Sequence, residues 1–476
     1  MKKLFCIGYL LLMVMQLHAQ KFMLTEKEEF SIKRDDFGVI GQFNQYTAVY
    51  RRHDNESEII LYDRAFQKVK VVPLGFMAEN LNEVSFSTDG NQLCIFFQLK
   101  EQKLLTLSAC QLNSDLNVTA PKILMSIPMN QFRLQQGYRI IHSENKSKHL
   151  VFADIRTETS MALQALVLDN ELNEINHVDQ LFDQPELYIS DIAALSNEGK
   201  AFILLSEKLT PRRIMDQAQL YACDLTAHEF VKYKIDLEGK FLSDAQLLYD
   251  NVNQLLYLYG YFADGKYNAP RGIFISHYNK NETASTNNHF VPIALQVSNG
   301  RSDLRDMKIR YSSLKKNGGL EIATENFYQQ VRSVSSYNPS MNNAFMNMPE
   351  TSRTVTEFNY EEVAIFNFKL DGSLSWSQTL LKEQQTTDDN GIFSSFGVME
   401  HPKGKAYIFN DLNTNNTRFM ASYVSAQGLI TLKEFQSTEE MNTWDIMPRS
   451  AVQISSTEIV MPCVTKSYLC FLKIVF

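Results

Sequence analysis

Apolar positions along the chain fall into short runs arranged as pairs. A polar turn, a short apolar strand, a polar loop and a second, alternating strand recur eight times. The first members begin at Tyr46, Leu93, His149, Phe202, Leu255, Leu320, Ala406 and Glu458, and their partners at Glu58, Leu104, Ala162, Ala218, Gly272, Val363, Arg418 and Tyr468. Start-to-start spacings are 47, 56, 53, 53, 65, 86 and 52 residues, so two units carry insertions on a common period. Runs this short, rich in Val, Ile, Leu, Phe and Tyr and without a 3.6-residue period, predict an all-β chain. A repeat of this length is that of a propeller blade. The expected fold is therefore a β-propeller of eight blades, with seven as the alternative.

The eighth unit shows only two clear strands, and an unassigned strand, Phe30-Ser31-Ile32-Lys33, precedes the first unit. Its pairing into the last blade would close the ring and remove two open sheet edges. An outer-membrane barrel, suggested by the terminal run YLCFLKIVF, is disfavoured, because barrel strands need about 9 to 11 residues with one consistently lipid-facing side.

Residues 1–20 read MKKLFCIGYLLLMVMQLHAQ, a basic start, an apolar run and a small residue at Ala19. This is the pattern of a secretory signal peptide, predicted over 1–19. The expectation is a single propeller domain over 20–476 with an insertion at about 332–359. The mature chain shows no apolar run of the length a transmembrane helix needs. Periplasmic residence is favoured, with an extracellular or outer-membrane-associated place as the alternatives.

Composition adds exclusions. With 44% hydrophobic and 21% charged residues the 476-residue chain is neither disordered nor a small disulfide scaffold, and a net charge of −8 argues against nucleic-acid binding. Beyond the leader lie five cysteines, Cys94, Cys110, Cys223, Cys463 and Cys470. Cys94 with Cys110, and Cys463 with Cys470, flank hairpin turns at cross-strand separations compatible with a disulfide; the favoured reading is five small buried hydrophobes.

The turn SFSTDGNQL before and into Leu93, echoed by LSNEGKAF before Phe202, resembles the turn of TolB-type propeller repeats. The stretch 366–411 resembles a recurrent segment of uncharacterised exported proteins of Bacteroidetes. The matching residues are Asp371, Gly372, Trp376, Lys382, Gln384, Asn390, Gly391, Phe393, Ser394, Ser395, Phe409, Asn410 and Asp411. GYFAD at Gly260 with GIF at Gly272 looks like a further part of that pattern. The resemblance spans roughly the second half of the chain and brings no activity with it.

In a four-stranded blade the connection between strands two and three shares a face with the blade-to-blade connections. The irregular features gather there: Arg212 and Arg213, the 264–271 loop with Asp264 and Arg271, the Ser-, Asn- and Met-rich insertion with Met341, Met346 and Met348, and the segments 381–390 and 410–417. Lys382, Gln384, Asp388, Asp389, Asn410 and Asp411 are expected at the junction of units six and seven. Their oxygens would suit calcium, although local turn bonding is the favoured reading. A carboxylate-pair hydrolase site at Asp388 and Asp389 is disfavoured because nothing fixes their separation. The chain has no Gly-x-Ser-x-Gly, His-Glu-x-x-His, phosphate-binding Gly-rich loop or Cys-x-x-Cys. His228-Glu229 begins a zinc motif, but Lys232 stands where its second histidine would be. The expectation is a non-enzymatic binding or scaffold protein of the cell envelope with a protein partner, an outer-membrane transport or secretion complex being one candidate. The alternatives are a glycan hydrolase or lyase with an axial pocket, for which Trp376 or Tyr261 would be the platforms, and a ligand-sensing module.

Overall fold

The eight apolar strand pairs become the two middle strands of eight antiparallel sheets in the computed structural model. It describes residues 21–476 apart from 32–33, 78–79, 132–136, 157–158, 184–187, 207–213, 216–217, 225–227, 280–286, 294–303, 336–351, 413–417, 436–443 and 466. In the fifth sheet, for example, Leu255–Ala263 and Gly272–Asn279 lie between Phe241–Asp250 and Asn287–Pro292. Among the described residues the only helical segments are two 3-10 turns, Met129–Gln131 and Pro448–Ser450, and no helix is long and apolar enough to cross a membrane.

Middle strands bury both faces because each sheet is covered by its two neighbours. Along Leu255–Ala263, Leu256, Leu258 and Phe262 pack toward sheet four, while Tyr257, Tyr259 and Tyr261 pack toward sheet six. This is the two-residue alternation of a strand with apolar groups on both sides. Eight apolar clusters result, one between each pair of consecutive sheets, the eighth joining Val460 and Phe471 of the last sheet to Val49 and Ile60 of the first. The ring is closed, and the described strands form an eight-sheet β-propeller. First strands of successive sheets touch, as Asp36–Phe43 does with Leu81–Thr88 and with Val452–Gln453, so they line the axis.

Closure uses the amino-terminal segment, but not the strand expected from the sequence. Lys21–Leu24 is the outermost strand of the eighth sheet, pairing Lys21 with Val475 through Leu24 with Leu472. Its Phe22 and Leu24 pack on the seventh–eighth cluster, with Phe22 edge-on to Phe435. Phe30 instead plugs the eighth–first interface, edge-on to Phe37, its N–H donating to the Ser467 carbonyl. Of the expected closing strand, residues 32–33 lie outside the described residues.

On the face opposite the long loops, short hairpins carry the TolB-like turns. Asp89 Oδ1 accepts the N–H groups of Asn91 and Gln92 at 2.8 and 2.9 Å, and Ser196 Oγ accepts that of Lys200 at 2.9 Å. These turns also tie blades together. Asn145 N–H donates to Asn197 Oδ1 at 3.1 Å, and Asn197 N–H to Asn251 Oδ1 at 2.7 Å, linking sheets three, four and five.

All five described cysteines are buried free thiols. Cys94 and Cys110 cannot bridge: Cys94 lies in the second–third cluster and Cys110 in the first–second, on opposite faces of their sheet. Cys463 and Cys470 are direct cross-strand partners, with Cys463 Sγ 3.4 Å from the Cys470 carbonyl oxygen.

Candidate functional site

Of the expected insertion, 332–335 and 352–359 are strand, and 336–351 lie outside the described residues. Leu320–Ser335 and Ser352–Phe368 are the two longest of the described strands. The first strand of their sheet reaches only Asn326 and the fourth only Val363, yet the two strands continue to pair for nine further residues, from Phe327 with Tyr360 to Ser335 with Ser352. At roughly 3.3 Å per residue this makes an arm about 25 Å long on the loop-rich face. Its other edge is flanked by Gln384–Thr387, which pairs with Glu357 through Tyr360.

The base of the arm is clamped. Phe327 and Tyr360 pack with centroids 4.6 Å apart and rings tilted by 39°, the Arg310 guanidinium lies 5.1 Å from the Phe327 ring, and Arg449 Nη1 donates to the Tyr360 hydroxyl at 3.1 Å. Polar pairs continue outward, with Arg332 on Glu357 and Arg353 2.9 Å from Asp388. The backbone N–H and side chain of Asp388 both engage Thr356, so Asp388 is an anchor of the arm. Hydrogen bonds from the Thr356 N–H and the Arg353 guanidinium hold its carboxyl below the usual range.

Lys382, Gln384 and Asn410 do meet at the junction of sheets six and seven, but as interior groups. Lys382 Nζ lies 2.7 Å from Glu325 Oε1 and donates to Gln384 Oε1 at 2.8 Å, with both charged side chains at 1% exposure or less. Gln384 Nε2 donates to the Asn410 carbonyl at 2.6 Å, and Asn410 Nδ2 to the carbonyls of Phe393 and Ile446 at 2.9 and 2.7 Å. Ser395 completes the knot, its N–H on Gln384 Oε1 at 2.8 Å and its hydroxyl on Glu325 Oε2 at 2.6 Å. Burial pushes the Lys382 ammonium below its ordinary pKa, and the Glu325 carboxylate opposes this. Gly391 is required: its φ is +65°, and a Cβ there would stand 2.6 Å from the Tyr360 ring. Asp389 Oδ1 accepts the Gly391 N–H at 2.8 Å, a turn bond, while Asp411 is half-buried at the strand end. Lys382, Gln384, Ser395 and Asn410 thus join sheets six and seven as interior groups bonded to one another, to Glu325 and to backbone carbonyls.

Asp264 and Arg271 stand on the loop-rich face as an exposed ion pair spanning their connection, and Asp264 raises the Arg271 pKa. Beside them opens a cleft of about 350 Å³ between sheets five and six. Lys266, Asn268, Arg305, Asp306 and Lys308 supply its polar walls and Phe241, Leu304 and Met307 its apolar ones. Asp244, at φ +50° in a bulge of the fifth sheet's first strand, lines the same cleft and accepts the Ile309 N–H at 2.5 Å. Arg212, Arg213, Met341 and Met346 lie outside the described residues. Of the proposed sugar platforms, Trp376 sits on the outermost strand of sheet six, its Nε1 donating to the Ala426 carbonyl at 3.1 Å, whereas Tyr261 lines the cleft but is only 1% exposed.

Two clusters escaped the sequence reading because their members are far apart in the chain or single. Asp35 Oδ2 lies 2.8 Å from His53 Nδ1, with Asp54 Oδ2 3.5 Å from Nε2, the one group of three metal-capable side chains among the described residues. Burial pushes the Asp35 carboxyl up, but hydrogen bonds from His53 and the Ser31 N–H outweigh it and hold it below the usual range. On the opposite face, His142 and His149 are cross-strand partners with Nδ1 atoms 3.0 Å apart. Asn170 Nδ2 donates to Asp89 at 2.7 Å, which aims its oxygen at His149 Nε2, 3.3 Å away. A carboxylate only accepts, so the proton order is fixed: Nε2–H on His149 and Nδ1–H on His142. Burial drives their pKa values down to about 4 and about 3 respectively.

No family model and no curated protein matches the sequence. Among solved structures, the chain is similar to a prolyl endopeptidase at 11% identity and TM-score 0.45, over 91% of this chain and 55% of that one. It is also similar to the β-propeller domain of the Trilobed protease from Pyrococcus furiosus, which has an open velcro topology, at 10% identity and TM-score 0.37 over 85% and 97% of the two chains. A protein from Lactobacillus plantarum matches at 12% identity and TM-score 0.36, over 84% and 96%. This chain spans little more than half of the prolyl endopeptidase, and likeness at such identity concerns fold alone.

Proposed function

We propose that this propeller is a non-enzymatic binding or scaffold protein of the cell envelope, exported by its leader and engaging a protein partner through the loop-rich face. The observation that carries the reading is the arm, which runs past the sheet that bears it and is braced at its base by Arg310, Tyr360, Arg449 and the Lys382 knot. A strand pair held this firmly outside the core contributes nothing to closing the ring, and elaboration of one face of a rigid scaffold is the usual place for recognition. The polar cleft at the foot of the arm extends the same surface. The resemblance of 366–411 to exported Bacteroidetes proteins belongs to this proposal, and suggests relatives that share the braced junction.

Crosslinking of tagged mature chain in native envelopes, followed by mass spectrometry, tests it. A stoichiometric partner whose crosslinks fall on sheets four to seven supports the reading. A monomer without partner, or crosslinks confined to the turn-bearing opposite face, contradicts it.

A further inference from the structure

We infer that Asp35, His53 and Asp54 form a site for a divalent transition-metal ion of the zinc type, in which His53 Nε2 and the Asp54 carboxylate are the ligands and Asp35 holds the imidazole ring in place. The inference goes beyond the partner reading and does not depend on it. The three residues meet at one end of the first sheet, on the loop-rich face. Asp54 and Asn55, at φ +47° and +71°, form the two-residue turn of the hairpin between Tyr46–His53 and Glu56–Tyr62. A turn with both φ values positive matches the twist of its strands, and Asp and Asn tolerate it well. It delivers the Asp54 carboxylate beside the ring of the last strand residue. Asp35 arrives from a neighbouring strand, since it directly precedes Asp36–Phe43, which pairs with Tyr46–His53.

The two carboxylates have different tasks. Asp35 is 2% exposed, and its Oδ2 accepts the Ser31 N–H at 2.6 Å and lies 2.8 Å from His53 Nδ1. A carboxylate only accepts, so the ring proton stands on Nδ1 and the Nε2 lone pair faces Asp54 Oδ2, 3.5 Å away. That separation is too long for an N–H···O hydrogen bond. It is close to the edge of about 3.4 Å between two ligands held at about 2.0–2.2 Å on one tetrahedral ion. Two acceptors facing each other repel, and a cation between them turns the repulsion into a chelate. A buried carboxylate on one ring nitrogen with a metal on the other is how proteins orient ligating histidines. Arg52, the preceding strand residue, points to the other face, where its Nη2 donates to Asn55 Oδ1 at 3.3 Å. The imidazole selects zinc over calcium and magnesium, which take oxygen ligands. Asp54 is 69% exposed and His53 29%, so the ion reaches the site from solvent and water fills its remaining positions.

The test is isothermal titration calorimetry of the mature chain, free of any histidine tag and treated with chelator, against zinc chloride. The expected result is one zinc ion per chain, lost in His53→Ala and not displaced by excess calcium or magnesium. Asp54→Asn removes a ligand charge while keeping a residue that tolerates the positive φ of the turn, so the fold is retained, and it should weaken zinc by about tenfold or more. Asp35→Asn, which leaves both ligands in place, should weaken zinc by about tenfold through the lost orientation of the ring. Circular dichroism of each variant confirms the fold. The inference is overturned if wild type takes up no zinc, if His53→Ala or Asp54→Asn binds zinc as wild type does, if Asp35→Asn has no effect, or if calcium displaces zinc. An uptake shared by wild type and His53→Ala would place the ion on other groups and leave His53 with Asp35 as a plain ion pair.

Discussion

Lys382 Nζ lies 2.7 Å from Glu325 Oε1 in a site where neither side chain sees more than 1% of solvent. Glu325 belongs to the second strand of sheet six and Lys382 to the connection leading to sheet seven, so the pair fastens the foot of the arm to the next blade. Breaking a buried pair leaves an uncompensated charge. Arg310 remains 3.3 Å from Glu325 when Lys382 is removed, so Lys382→Met should destabilise the chain by about 3 kcal/mol, the lower end for a broken buried pair, and the double variant with Glu325→Leu should recover part of that loss. Urea unfolding of the three proteins measures both.

The two buried histidines make stability depend on pH above the carboxylate range. In the fold they titrate at about 3 and about 4, whereas an unfolded histidine takes its proton near 6.5. The unfolded state therefore binds more protons below pH 6.5, and stability is complete above that value and lost as pH falls toward 4. Each histidine costs about 2 kcal/mol by pH 5. Between pH 7 and 5 the His142→Gln, His149→Gln double variant should show a flatter profile than wild type in denaturant titrations.

Thiol reactivity reports the packing. Burial pushes the Cys94 and Cys110 thiols up to about 12 and raises Cys463 further, so little thiolate exists at pH 8. Native mature chain should react with Ellman's reagent at less than one thiol per molecule, and denatured chain at five. Fast reaction in the native state would show that the blade interfaces are open.

Deletion of residues 21–24 should cost about 3 kcal/mol, from the lost ladder and the apolar contacts of Phe22 and Leu24. It also bares the edge of the last strand at 472–475, while Glu28–Glu29 still covers Tyr468 and Leu469, so concentration-dependent association by light scattering is expected.

The middle strands were legible because they are covered on both faces and read as apolar runs, as Leu93–Glu101 and Leu255–Ala263 do. Outer strands were not: Lys68–Pro73 and Ile430–Glu434 are largely exposed and carry polar residues no pattern distinguishes from loop. Lys21–Leu24 was missed for a related reason, since four residues beside a leader give too few positions to show alternation. The junction of sheets six and seven was located from Lys382, Gln384 and Asn410, but residue types cannot tell a ligand-facing ammonium from one sealed against Glu325, 57 positions earlier. The arm was read as a loop because Ser, Asn, Gln and Thr in a solvated hairpin lack the period that betrays a half-buried strand.

The central claim is that the arm and its cleft are where a partner binds. Its most direct measurement is quantitative co-purification from crosslinked envelopes of the wild-type chain and of a chain in which 331–356 is replaced by a two-residue turn. The account predicts that the partner recovered with wild type falls at least tenfold with the shortened arm, while the thermal midpoint of the propeller is retained. Equal recovery by both chains, with the shortened one folded, would contradict it.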